Sequence, residues 1–119
     1  PITVVREVQR TMPRPQRPVA VYLTATQCES GTLAPALHAL GGVWLLPECY
    51  LDVPGDMAAL VTRRLAQLPA GSTIVPIVQS YDRGKPDVWT TAQIAALQVP
   101  AVEACRPHRN VIGTLLFSA

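Results

Sequence analysis

The sequence predicts an α/β fold built on a parallel sheet, and three observations carry that reading. Four β-favouring runs recur along the chain, at 19–25, 43–47, 73–79 and 111–117. The intervals between them hold helical patterns, so successive strands are joined by crossovers and must run parallel. The runs "VAVYLTA" and "VWLLP" are apolar almost throughout, as strands covered on both faces are.

The first element is a helix over 3–12, where Val4, Val5, Val8 and Met12 share one face while Arg6, Gln9 and Arg10 lie elsewhere. "PRPQRP" ends it, because proline cannot continue a helix. The strand at 19–25 leads into "TQCESG", read as a loop, and then a short helix over 32–40 closed by Gly41 and Gly42. After the strand at 43–47 comes the loop "ECYLDVPGD". A helix over 54–68 follows, with Met57, Leu60, Val61, Leu65 and Leu68 inward and Arg63 and Arg64 mostly outward. Asp52 or Asp56 favours its N-terminus electrostatically. Pro76 is awkward inside the third strand and calls for a bulge or an edge position. A helix over 91–104, kinked or shortened by Pro100, precedes the fourth strand.

Four parallel strands with no closing helix after "LLFSA" suggest about four βα units of a (β/α)8 barrel, with the remainder outside this chain or supplied by a partner. The alternative is a small doubly wound sheet. Either way the 119 residues make one domain or a fragment of one. Charged residues are only 15% of the chain, so much of it faces inward or leans on something else.

Composition also excludes some functions. Arg6, Arg10, Arg14 and Arg17 are concentrated near the start, but no basic run is interleaved with aromatics, so no nucleic-acid partner is expected. No stretch of eighteen apolar residues spans a membrane, and Pro1 opens directly into an amphipathic pattern rather than a signal peptide. Cys28, Cys49 and Cys105 fit no zinc spacing. They read as buried thiols, with a Cys28–Cys49 disulfide as the alternative. His38 and His108 stand in no catalytic order, and no glycine-rich phosphate loop occurs, so no cofactor or metal is expected.

The chemistry gathers where strands end. Thr24, Thr26, Gln27 and Glu29 follow the first strand, and Glu48, Tyr50 and Asp52 the second. Gln79, Ser80, Tyr81, Asp82 and Arg83 follow the third, and Ser118 the fourth. Strand entrances carry turn residues instead. Parallel strands put their C-terminal ends on one side, where α/β proteins build sites. Glu48 is the leading candidate for a general acid, a nucleophile or a hydroxyl ligand; the competing use is a loop hydrogen-bond partner. Asp82 and Glu29 are the candidate second carboxylates, Asp82 competing with a turn-forming role. Tyr50, Gln79, Tyr81 and Trp89 are candidate substrate contacts, the Trp89 ring being equally suited to packing a loop.

At "VWLLPECY", "IVPIVQSYDRGKPDVW" and "VIGTLLFSA" the chain resembles the C-terminal half of glycoside-hydrolase-like (β/α)8 barrels carried by phage tail proteins and secreted proteins of GC-rich actinobacterial systems. The shared features are a strand ending Pro-Glu-x-Tyr, a strand of the form Pro-x-Val-Gln-x-Tyr-Asp, and a last strand ending Phe-Ser. The resemblance implies a barrel mouth facing carbohydrate or a cell-surface glycan, lined by Glu48, Tyr50, Gln79, Tyr81 and Asp82. It also implies a virion or extracellular setting. A glycan-binding module without hydrolysis, or a structural virion domain packed against other subunits, are the alternatives.

Overall fold

A computed structural model describes residues 1–14 and 16–117. Ser118, part of the last polar cluster, lies outside the described residues. The elements run α1 (Ile2–Thr11), β1 (Val19–Leu23), α2 (Ala25–Ser30), α3 (Leu33–Leu40), β2 (Val43–Cys49) and α4 (Met57–Ala66). Then come β3 (Thr73–Ile74), β4 (Ile77–Gln79), α5 (Thr91–Ala95), α6 (Gln98–Cys105) and β5 (Leu115–Phe117).

All strand pairs are parallel. β3 and β4 lie along one line beside β2, since Trp44 pairs with Thr73 and Glu48 with Ile77 in a constant register. Across the sheet the order is therefore β1, β2, β3 with β4, then β5, following the chain. The reversal of strand order that marks a doubly wound sheet is absent among the described strands.

Side-chain alternation explains the two faces. Val19, Val21, Leu23, Val43, Leu45, Cys49, Ile74 and Val78 join one core cluster, together with the buried apolar residues of α1 to α4 and α6. Leu46, Val75 and Ile77 form a second cluster with Trp44 and Tyr50, and among the described residues no helix contributes to it. The helices thus cover one face and leave the other open. Tyr22 is 42% exposed and Leu115 48% exposed on the open face. The Cα radius of gyration, 15.1 Å, exceeds the about 13–14 Å of a compact domain this long.

Three local differences from the sequence expectation have physical causes. "ATQCES" is helical, not a loop. Thr24 caps it in a capping box with Gln27, and Gly31 ends it at φ 69°. The expected helix over 91–104 is two helices. Pro100 is the third residue of α6 and has no N–H to donate back to Ala96, so the ladder breaks there. Arg64 is buried, not outward, because it sits three and four residues past Val61 and Leu60 on the core face. The cysteines agree with the sequence reading: all three are buried free thiols, and the alternative Cys28–Cys49 disulfide is not formed.

Pro76 meets the expectation of a bulge, with the extra residue on the neighbouring strand. Residues 74 and 76 face β5: Ile112 N–H donates to the Ile74 carbonyl and Leu115 N–H to the Pro76 carbonyl. Pro76 offers no donor in return. The pairing advances three residues on one strand, from Ile74 to Ile77, and four on the other, from Val111 to Leu115. The extra residue falls within 112–114, which carries Gly113, and it shortens the expected strand 111–117 to Leu115–Phe117.

Candidate functional site

The C-terminal rim of the sheet holds a cleft of ≈ 310 Å³. Its walls come from Ala25 and Glu29 of α2, Glu48 on β2, Tyr50 to Asp52 just after it, Leu60, Arg63 and Arg64 of α4, and Arg83.

Glu48 lies in the last turn of the pleat before β2 ends, not beyond the strand, because β2 continues through Pro47 to Cys49. Its position opposite Ile77 puts it on the open face, where it is half-buried. The Tyr22 hydroxyl donates to Glu48 Oε2 at 2.5 Å. Burial, and then that bond, push the Tyr22 phenol well above the ordinary phenol range, so it stays a donor. The Glu48 backbone is held from behind, where Arg64 Nε donates to its carbonyl at 2.9 Å. Arg64 Nη1 donates to Gln67 Oε1 at 3.2 Å and lies 3.7 Å from Glu29 Oε1.

Tyr50 stands beside Glu48. The Tyr81 ring meets it edge-on, with centroids 6.1 Å apart, and the Arg83 guanidinium lies 5.4 Å from its centroid. Burial raises the Tyr50 phenol, with the charges of Tyr81 and Glu48 adding to the effect. Arg83 also donates to Asp52 Oδ1 at 2.7 Å, and Lys85 Nζ is 3.6 Å from the same oxygen.

Gln79 is fully buried and serves as a bracket between loops. Its Oε1 accepts from Leu51 N–H at 2.9 Å and its Nε2 donates to the Tyr81 carbonyl at 3.0 Å. It places Tyr50 and Tyr81 rather than facing the cleft. Asp82 Oδ1 accepts from Gly84 N–H at 2.8 Å, which is the turn-forming use of that aspartate, and Asp82 is not part of the cleft wall. Trp89 is 4% exposed within the helix-side core, so its ring faces are not offered at the rim.

Of the candidate carboxylates, the cleft brings together Glu29 and Glu48 and leaves Asp82 outside. Asp56, one of the two acids considered for the start of α4, caps it through Oδ1 and Ala59 N–H, whereas Asp52 turns to Arg83. Tyr22, Arg63 and Arg64 are the wall or contact residues outside the strand-end clusters, while Asp52 and Arg83 belonged to those clusters without being singled out. Tyr22 was detectable, since it alternates with Val21 and Leu23 and so takes the face opposite to theirs. Among the described residues no group of three or more His, Cys, Asp or Glu side chains is disposed to hold a metal ion. No helix among them is long and apolar enough to cross a membrane.

Comparison with protein-family models, curated proteins and solved structures finds no match for this chain.

Proposed function

We propose that the chain is a glycan-facing segment of a glycoside-hydrolase-like barrel, with Glu48 as its central group. The observation that carries this reading is the placement of Glu48 on the open face at a strand's C-terminal end, hydrogen-bonded to one phenol, Tyr22, and flanked by another, Tyr50. Carboxylates with phenols suit sugar hydroxyls, which both donate and accept. Consecutive parallel strands with helices on one face only also support the barrel, because a barrel's interior face carries none.

In this reading Glu48 protonates the glycosidic oxygen, and a second carboxylate attacks the anomeric carbon or activates water. Glu29, one of the two partners inferred from sequence, and Asp52 share the cleft and are the available partners; Asp82, the other inferred from sequence, is not on its wall. Asp52 is held by Arg83 and Lys85, and Glu29 is 61% exposed beside Arg64. That pairing of Asp52 with two cations favours a second reading, in which the rim binds glycan without cleaving it.

The test is a panel of oligosaccharides assayed for binding by calorimetry and for cleavage by product chromatography, with the wild-type chain and Glu48→Gln. The expected result is glycan binding weakened by roughly ten-fold in the variant, as for loss of a charge-assisted hydrogen bond. Cleavage that disappears in the variant assigns the acid, whereas binding without product in the wild type leaves the binding-only reading. Binding and turnover both indifferent to Glu48→Gln would remove Glu48 from the site.

A further inference from the structure

Resting on the glycan reading of the same cleft, we propose that its ligand carries a carboxylate, as a hexuronic acid does, and that Arg63 is the residue that reads it. The inference follows from tracing each charge on the wall to its partner. The residues lining the cleft include three carboxylates, Glu29, Glu48 and Asp52, and three guanidiniums, Arg63, Arg64 and Arg83. Arg83 is spent on Asp52, which Lys85 also approaches. Arg64 is 4% exposed and occupied by the Glu48 carbonyl and Gln67. Two groups are left over. Glu48 receives a phenol hydrogen bond and meets no cation within ion-pair distance among the described residues. Arg63 has neither an ion pair nor a side-chain hydrogen bond among them.

One cleft therefore presents a carboxylate without a cation and a donor fork without a partner among the described residues. A neutral sugar satisfies only the first, by donating hydroxyls to Glu48. A sugar acid satisfies both, since its planar carboxylate matches the guanidinium two bonds at a time. A phosphate dianion fits less well, because Glu29 and Glu48 repel the second charge. Arg63 is also exposed, so the pair forms at the cleft's wet border and is screened by salt.

The experiment compares oligosaccharides of a neutral hexose with those of the corresponding hexuronic acid, titrated into the full chain by calorimetry at low and high salt. The acid is expected to bind tighter by roughly three- to ten-fold at low salt, as for an exposed ion pair. The preference should shrink in high salt, vanish in Arg63→Gln and survive in part in Arg63→Lys. Arg6→Gln, on the exposed side of α1, should keep it. Equal affinity of wild type for the two sugars overturns this inference while leaving the glycan reading standing. A preference unchanged in Arg63→Gln overturns the role of Arg63. Failure of both sugars to bind removes the glycan reading and this inference together.

Discussion

Replacing Arg64 with methionine tests whether the guanidinium under Glu48 holds the fold as well as the rim. The side chain is 5% exposed, and methionine keeps the length of its stem and most of its packing. What is lost is polar. The bond from Nε to the Glu48 carbonyl is charge-assisted and worth about 1.5–3 kcal/mol. The contact with Glu29 contributes under about 1 kcal/mol, because that carboxylate is 61% exposed to screening water. Gln67 is half-buried and recovers solvent when Nη1 leaves. Against these losses, methionine avoids burying a charge, a recovery that matters most when the partner is also removed from water. Here the partners are a neutral carbonyl and an exposed acid, so the losses win by about 2 kcal/mol. That lowers the melting midpoint by about 6–10 °C for a chain this long. Urea titration followed by tryptophan fluorescence, to which the core residue Trp89 contributes, measures the loss of stability. An Arg64→Met chain as stable as wild type, at unchanged m-value, would show that desolvation of the guanidinium cancels its bonds and that Arg64 contributes nothing to stability.

Other changes have distinct signatures. Gln79→Met strips partners from Leu51 N–H and the Tyr81 carbonyl, so it should cost about 2–3 kcal/mol and speed amide exchange at Leu51. Burial lifts Cys28 to about 11 and Cys49 to about 12 from 9.0, so both thiols should resist a disulfide reagent at pH 8 until the chain is unfolded. Because the folded values are the higher ones, their contribution is complete below pH 9 and is lost as pH rises toward 12. Alkaline unfolding should be less steep in Cys49→Ala. Gly71 sits at φ 80° with nothing within 4 Å of an added Cβ. Gly71→Ala should therefore cost only the backbone penalty, about 1 kcal/mol by thermal melting.

The directional features of the fold were the legible ones. Strands too far apart for hairpins had to be parallel, and that alone predicted a shared rim with Glu48, Glu29 and Tyr50 on it. Hydrogen-bond partners were harder to read. Arg64 looked outward because arginine usually is, although its spacing from Leu60 and Val61 placed it on the apolar face. The helix at Ala25–Ser30 was written in Thr24-x-x-Gln27, a capping pattern that a loop reading of "TQCESG" overlooked. Asp82 and Asp52 could not be sorted by type, because which carboxylate meets Arg83 depends on loop conformations set by tertiary packing. Trp89 likewise had two equal uses until the core claimed it.

Pro76 has a consequence for which chains this sheet accepts. The strand beside it must accommodate a backbone that gives no N–H, and β5 does so with a surplus residue near Gly113. A straight strand arriving there, from another copy or an unfolded neighbour, would leave a carbonyl without a donor at a cost of about 1–3 kcal/mol. The lane next to Pro76 thereby discriminates against intruders by shape, and a chain carrying Pro76→Ala would lose that safeguard against strand exchange.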